Sequence, residues 1–455
     1  MTPAHVVVAG GGVTGLTLAF TVKEEAARLG AAVDVTVFDA ASTAGGHARS
    51  VEDGSFVIET GPNGFLDNEP ETLSLVQALD LEARLVVANP AARRRFVVRR
   101  GRLCQLPSSP QALLASTALS WKGKLRLLSE PFAASPPALA DETVFEFAER
   151  RLGREAAETL VDTAVSGISA GDSKWLSMRS QFPILKQWES DHGSLFRAMF
   201  AQRKKSKSRT RLLSFDRGIG TLTATLACRL GPTLRSGTAL TTIERQADAW
   251  RVHLADGTTV AATHVVFTTP AQRTSQIVSR LDLELSTELA SIPYAGLAVV
   301  ALAYSKAALP RPLDGYGYLV TRAEQLSTMG VIWESSIFPG RAPDDAVLLR
   351  VFLGGALRPG VLDLDDEALL AVARSEVAQV LGIAARPNQH WAFRWPSAIA
   401  QYTVGQDDRV RHIRARLACH PGLHVCGTAI DGVSFNQAIA SARRTGRRLA
   451  AGLVR

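Results

Sequence analysis

Cysteine is scarce in this chain: Cys104, Cys228, Cys419 and Cys426 are the only four in 455 residues, and none form a CxxC pair. That excludes a disulfide scaffold and a cysteine-built zinc site, and it suits a reducing compartment. His420 and His424 are four apart, but Pro421 and Gly422 between them break the helical turn that a histidine metal pair needs. No metal site is expected. Long apolar runs are lacking too. The longest, residues 295–303, falls far short of the roughly 20 residues needed to cross a bilayer. No secretory leader pattern precedes the strand-like residues 5–9, so a cytosolic protein is the expectation. Internal repeats are absent, and no Ser-His-Asp set, carboxylate pair or Cys-His pair stands out. Such a chain is suited to chemistry that asks for no strong protein base.

Charge of one sign is only moderately in excess. With 51 Lys and Arg against 43 Asp and Glu, the net charge of +8 permits attraction to anionic substrates or lipids without requiring either. The one dense basic run, Arg203-Lys204-Lys205-Ser206-Lys207-Ser208-Arg209, reads as a solvated loop, and no nucleic-acid partner is expected.

What the chain does have is core. A hydrophobic content of 46% with 21% charged residues is that of a globular protein with room for two or three domains. Residues 5–9 form a buried-type strand, residues 14–29 a helix stopped by Gly30, and Val33–Asp39 a second strand. Residues 110–230 read as mostly helical. Strand patterns return at 240–243, 250–254 and 265–269, with a hairpin turned by Asp256-Gly257. They continue at 297–304, Gly317–Val320, 329–333 and 347–352, followed by a helix over 365–381. A short strand at 423–426 precedes a closing helix from Phe435. This order suits a nucleotide-binding domain interrupted by insertions.

Between the first strand and the first helix lies Gly10-Gly11-Gly12-Val13-Thr14-Gly15, a GxGxxG fingerprint. Gly10 allows the tight turn, Gly12 lets backbone approach a pyrophosphate, and Gly15 lets helix and strand pack closely. The helix N-terminus then offers free N–H groups to the phosphates. Asp39, ending the second strand, is placed to accept from a ribose hydroxyl. Six residues later Gly45-Gly46 supplies a second backbone clasp, which favours FAD over NAD.

Gly45-Gly46-His47-Ala48-Arg49-Ser50 and Glu59-Thr60-Gly61-Pro62-Asn63-Gly64-Phe65 resemble the flavin-contacting segments of the protoporphyrinogen oxidase family, within the amine-oxidase-like flavoproteins. The likeness extends through Arg95-Phe96-Val97-Val98 with Leu106-Pro107-Ser108, Gly167-Ile168-Ser169-Ala170-Gly171-Asp172, Phe338-Pro339-Gly340-Arg341, Phe352-Leu353-Gly354-Gly355 and Arg394-Trp395-Pro396. At the C-terminal end, Val425-Cys426-Gly427-Thr428 and Gly432-Val433-Ser434-Phe435-Asn436 resemble the returning FAD segment.

The resemblance implies an α/β fold: a Rossmann-like FAD-binding domain with an inserted mixed-sheet substrate domain and a helical subdomain. The expected segments are FAD-binding over 1–88, 206–275 and 418–455, helical and substrate-entry over 89–205, and substrate-binding over 276–417. It implies FAD contacts from Gly10, Gly12, Val13, Thr14, Gly15, Asp39, Gly45, Gly46, Arg49, Gly61, Pro62, Asn63, Gly64, Leu240, Trp395, Gly427, Thr428, Val433, Ser434 and Phe435. Arg95 falls where the family holds a substrate propionate, by a bidentate fork. From the residues alone, Arg93-Arg94-Arg95 reads rather as a solvated charge run. Leu319, Ile332 and Phe352 fall where the family sandwiches a macrocycle, and Gly167, Ala170 and Gly171 in a pocket segment. Asn63 falls near flavin and substrate and is counted with Arg95 as catalytic.

The implied reaction is oxidation of a porphyrinogen, first protoporphyrinogen IX, in porphyrin and heme biosynthesis, with FAD and O2 as acceptors and hydrogen peroxide as product. Coproporphyrinogen III, another polycyclic or amine substrate, and a non-catalytic FAD or tetrapyrrole binder stand as alternatives. Four departures bear on the choice: Thr428 where asparagine is usual, Arg217-Gly218-Ile219-Gly220 for a Gly-Gly pair, Ala400 for proline, and Glu334 for serine. Glu334 would repel an anionic tetrapyrrole unless it pairs or faces away. Leu113, Leu114, Leu119, Trp121, Lys122, Lys124, Arg126, Leu127 and Leu128 suggest an amphipathic face suited either to the core or to a lipid surface. A homodimer is also an expectation of the resemblance.

Overall fold

The computed structural model describes residues 4–107, 110–133, 141–205 and 210–453. Residues 206–209 of the basic run, Ser108 and the Leu114 side chain lie outside the described residues.

Val6, Val7 and Val8 have no accessible surface, which is why the first strand carries an unbroken β-branched run rather than an alternating one. It is the middle strand of a five-stranded parallel sheet ordered Leu234–Ser236, Val33–Asp39, Ala4–Ala9, His264–Phe267 and Leu423–Val425. Three distant stretches of chain therefore complete one nucleotide-binding sheet. The first helix, Val13–Leu29, ends at Gly30 in the left-handed conformation and packs against the closing helix Phe435–Gly452. Leu16, Leu18, Val22, Leu222, Leu226 and Ile439 form one core on this face of the sheet. The three-stranded antiparallel unit Leu240–Gln246, Ala249–Leu254 and Thr259–Ala262 contains the expected hairpin and covers the other face with Trp250 and Val252.

The second large sheet has seven strands, ordered Gln389–Ala400, Tyr294–Ser305, Ala346–Gly354, Thr328–Trp333, Gly317–Val320, Arg95–Arg99 and Arg102–Gln105. Only Gly317–Val320 and Arg95–Arg99 run parallel; all other neighbours are antiparallel. The hairpin holding Arg95 thus belongs to this sheet, although in sequence it adjoins the helical segment. The twelve-residue strand Gln389–Ala400 goes beyond the sequence reading, since Trp395-Pro396 interrupts its pattern. It lies at the sheet edge, the position where proline removes no ladder hydrogen bond.

Among its described residues the largely helical stretch 110–230 contains one strand, Leu212–Phe215, which pairs with Phe65–Leu66 and Leu85–Val87. Within the helices, Glu130 and Arg151 form a fully buried pair at 2.6 Å. The amphipathic face divides in two. Leu119, Lys124 and Leu127 are buried, whereas Trp121, Leu125, Leu128 and Phe132 are exposed. No helix among the described residues is long and apolar enough to cross a membrane.

The contact on which the first sheet turns is between the first helix and first strand. A Cβ at Gly15 would sit 1.9 Å from the Gly10 carbonyl oxygen, and Gly10 itself has φ +107°. Gly15→Ala must push the helix off the strand. The variant is expected to purify without bound flavin and with a lowered Tm, read by visible absorbance and thermal unfolding; a yellow variant of unchanged Tm would contradict this account.

Candidate active site

The GxGxxG turn and the second glycine pair meet directly. Gly45 N–H donates to Gly11 O at 2.7 Å, and Gly12 bridges Gly45 as a short parallel ladder. Gly12, the N-cap of the first helix, provides no side-chain cap, so the first-turn N–H groups face outward unclaimed by a cap. Asp39 Oδ2 accepts from Gly11 N–H at 2.5 Å and Oδ1 from Ala41 N–H at 2.7 Å. The carboxylate is thereby oriented at the rim while keeping lone pairs for a ribose. A Cβ at Gly12 would meet nothing within 4 Å. That open cradle fits a pyrophosphate.

The cradle opens into one cavity of about 950 Å³. Gly10, Gly12, Val13, Thr14, Asp39, Gly45, Gly46, Gly61, Pro62, Asn63, Gly64, Leu240, Trp395, Thr428, Val433, Ser434 and Phe435 line it, as do Arg95, Gly167, Ala170, Leu319, Ile332 and Phe352. Four expected site residues are not on its wall. Gly15 is spent on the helix–strand contact, and Gly427 packs against Thr14. Gly171 packs against Gln401 and Leu176, where a Cβ would come within 2.4 Å of Gln401 Oε1. Arg49 lies 5.6 Å from the Trp395 ring centre with a buried Nε that has no partner. All four shape the wall from behind.

At the dinucleotide end, Trp395 is fixed by donating Nε1–H to Thr60 O at 2.7 Å and by an edge contact with His47 at 4.6 Å. The closing helix begins at the wall, where Ser434 and Gln437 form a reciprocal capping box and Tyr402 OH accepts from Gly432 N–H at 2.7 Å. Its dipole points its positive end into the cavity.

At the other end the wall is apolar. Leu319, Ile332 and Phe352 come from neighbouring strands, and Gly167 lets a helix approach so closely that a Cβ would lie 2.4 Å from Leu319 Cδ2. Arg95 is exposed at this end, its guanidinium 5.0 Å from the Tyr316 ring centre. Its neighbour Arg94 makes an exposed pair with Asp314, and all three of Arg93-Arg94-Arg95 are exposed.

Sequence reasoning missed Tyr316 and Arg350, both on the wall. Arg350 was legible as a lone charge within the apolar run Val347-Leu348-Leu349-Arg350-Val351-Phe352. It resolves the difficulty of Glu334: both are fully buried, and Arg350 Nε donates to Glu334 Oε2 at 2.7 Å. A second buried pair, Arg341 and Glu59 at 3.2 Å, lies nearby. Burial raises the Glu59 carboxyl to about 7 against the opposing pull of Arg341. Burial also lowers His47 to about 4, with the Arg49 charge adding to it, so its imidazole is neutral. Tyr316 is raised, first by burial and then by the Glu334 charge; the neighbouring Asn63 amide and the charges of Arg95 and Arg350 oppose the rise. Asp39 is the only carboxylate among the lining residues.

Fold and site together define an FAD-binding oxidoreductase with a large, mostly apolar cavity beside its dinucleotide cradle. The chain belongs to the flavin-containing amine oxidoreductases, whose family model matches residues 13–451. It is an FAD-dependent oxidase. It is 31% identical over 481 residues to protoporphyrinogen oxidase of Bos taurus, covering 98% of each chain. It is 27% identical over 451 residues to coproporphyrinogen III oxidase of Bacillus subtilis (strain 168), covering 96% of this chain and 95% of that one. A crystal structure from Exiguobacterium sp. 255-15, provisionally described as a protoporphyrinogen oxidase, superimposes with a TM-score of 0.88 at 25% identity, covering 99% of this chain and all of that one.

The folded Glu59 pKa lies above its ordinary 4.5, so the folded protein holds an extra proton between about 4.5 and 7. This contribution to stability is full at the acid side of that window and is lost as pH rises through 7. Glu59→Gln is expected to flatten the decline of Tm between roughly pH 5 and pH 8. An equally steep decline in the variant would show that Glu59 is not its source.

Proposed function

We propose that this protein oxidises protoporphyrinogen IX to protoporphyrin IX, three O2 being reduced to three hydrogen peroxide as six electrons and six protons leave the macrocycle. The observation that carries this reading is the single cavity. Its dinucleotide cradle runs without a partition into an apolar slot with a free guanidinium at the exposed end. FAD, when bound, supplies the two-electron acceptor.

The chain's own residues do the positioning. The cradle of Gly10, Gly12, Gly45, Gly46 and Asp39 holds the cofactor, and Trp395 and the Gly61-Pro62-Asn63-Gly64 loop fix the wall beside it. Leu319, Ile332 and Phe352, with Gly167 and Ala170 opposite, grip a flat hydrophobic ring and exclude water. Arg95 takes a propionate, steadied by the Tyr316 face. His47, neutral because buried, adds no charge to the wall. No carboxylate competes with the substrate's own at the slot end among the described residues.

Coproporphyrinogen III is the second reading, favoured by the relative from Bacillus subtilis. Its four carboxylates ask for more cations than Arg95 alone provides, since Arg350 is held by Glu334 and Arg273 by Gln276 Oε1 and Leu240 O. Anaerobic mixing of the yellow protein with each porphyrinogen decides between them. Flavin bleaching with protoporphyrinogen IX, then porphyrin fluorescence once air is admitted, is the expected result. Faster bleaching by coproporphyrinogen III would reverse the assignment, and no bleaching by either would end it. Arg95→Ala should raise KM for the preferred porphyrinogen about 10- to 100-fold, the worth of a charged hydrogen-bonded pair. An unchanged KM would remove Arg95 from substrate binding.

The same reading extends to a peripheral lipid contact through Trp121, Leu125, Leu128 and Phe132, whose exposures of 65%, 66%, 44% and 86% leave an apolar ridge uncovered. Flotation with anionic liposomes should carry the protein upward and should fail for Trp121→Ser/Phe132→Ser. Wild-type protein left at the bottom of the gradient would dismiss the contact.

A further inference from the structure

Arg350 does more than neutralise Glu334. Besides the Nε bond to Glu334 Oε2, its Nη1 donates to Gly61 O at 2.7 Å and to Glu59 O at 3.1 Å. Arg350 belongs to the middle of the second large sheet, pairing in register with Ile332, whereas Glu59 and Gly61 lead into the Gly61-Pro62-Asn63-Gly64 loop of the cofactor-binding part. One buried side chain therefore crosses from the wall that carries Ile332 and Phe352 to the loop that carries Asn63. Its guanidinium also lies 5.2 Å from the Phe352 ring centre.

Stability alone does not account for this arrangement. A buried ion pair gains little over well-packed apolar residues of the same size, because both charges must first leave water. What a pair of methyl-bearing side chains cannot do is direct two hydrogen bonds at fixed carbonyls. A guanidinium can, and Glu334 keeps its plane in the one orientation that reaches Gly61. Just beyond that carbonyl stands Asn63, 7% exposed, on the same cavity wall as Tyr316 and with a buried Nδ2 that has no protein partner. Asn63 is thus a donor held ready at the wall, on a loop whose depth Arg350 sets.

We propose that Arg350, oriented by Glu334, is a positioning residue that locks the Gly61-Pro62-Asn63-Gly64 loop against the second large sheet, so that turnover depends on the ion pair while substrate affinity does not. The idea rests on reading the cavity as a joint flavin and porphyrinogen site. It places the machinery for rate in a buried pair and the machinery for affinity in exposed Arg95.

The test compares wild type, Arg350→Met, Glu334→Gln and the double variant Glu334→Gln/Arg350→Met, each loaded with FAD. Three readouts are taken: Tm, visible circular dichroism of the bound flavin, and kcat and KM with the porphyrinogen that bleaches wild type. Arg350→Met should lose kcat about 10- to 100-fold, the loss expected of a misplacement near 1 Å, with KM within about 3-fold and a lowered Tm from the stranded Glu334 charge. Glu334→Gln, which keeps an acceptor for Nε, should lose only a few-fold in kcat. The double variant separates the two roles. It should recover Tm, since no charge is stranded, yet keep the low kcat and the altered flavin dichroism of Arg350→Met. Recovery of kcat together with Tm would reduce the pair to charge burial and overturn the proposal, as would wild-type kcat in Arg350→Met. The dichroism needs no substrate: a wild-type band in the double variant overturns the loop-locking idea even where no porphyrinogen proves to be the substrate. Failure of wild type to bleach counts against the substrate reading alone.

Discussion

Keeping a cavity of about 950 Å³ open between two sheets is the constraint that the rest of this structure serves. Its slot is lined by leucine, isoleucine and phenylalanine, and hydrophobic burial by itself would close it, because that force is non-directional and favours any contact that sheds water. The walls are fixed in position relative to each other by directional bonds instead. Arg350 reaches from the second large sheet to Glu59 O and Gly61 O, and Arg341 reaches Ser214 Oγ at 2.9 Å and the Glu59 carboxylate at 3.2 Å. Trp395 is tied to Thr60 O. All three contacts converge on one stretch, residues 59–61, which serves as a hinge pin between the cofactor-binding wall and the wall of the second large sheet.

The nucleotide-binding part was readable because its determinants are local. Gly10, Gly12 and Gly15 lie within one turn, Asp39 ends the next strand, and each act is a backbone event that residue type alone decides. The second large sheet is different. Its order joins Arg95–Arg99 to Gly317–Val320 across more than two hundred residues, and only that pairing places Arg95 beside Tyr316. Arg350 and Glu334 show the same limit from the other side. Each appears in sequence as a misplaced charge, and the explanation of each is the other, sixteen residues away on an adjoining element. Arg49, Gly171 and Gly427 lie near the wall yet behind it, a distinction that depends on side-chain packing and has no counterpart in residue spacing.

Burial sorts the cations into two kinds of work. Arg95 is exposed, with no carboxylate partner among the described residues, and is free to be claimed by an incoming anion. Arg341 and Arg350 are at most 1% exposed and each is already bonded to a carboxylate and a backbone carbonyl, with Arg341 Nε and Arg350 Nη2 left without a partner. A guanidinium without solvent depends on the protein for its partners, so it builds more than it recruits. An exposed one is screened and mobile, so it can recruit but cannot build. Exchange of these roles is unavailable to either class, which is why charge count alone said so little about the partner.

The acid–base inventory of the wall limits the chemistry further. Asp39 is its only carboxylate and sits at the dinucleotide end, while His47 is held neutral by burial and Tyr294 is pushed to about 12. Tyr316 is also raised, and no lysine or cysteine lines the cavity among the described residues. Near neutral pH the wall therefore holds no group poised to remove a proton from a weak acid. A reaction that began with proton abstraction by the protein would have nowhere to start. One whose difficult step is removal of a hydride, with pyrrole protons passing to water afterwards, needs only a ring held flat against an acceptor. That is what an apolar slot, a loop bonded to Arg350 through Gly61 O and the exposed Arg95 guanidinium can provide.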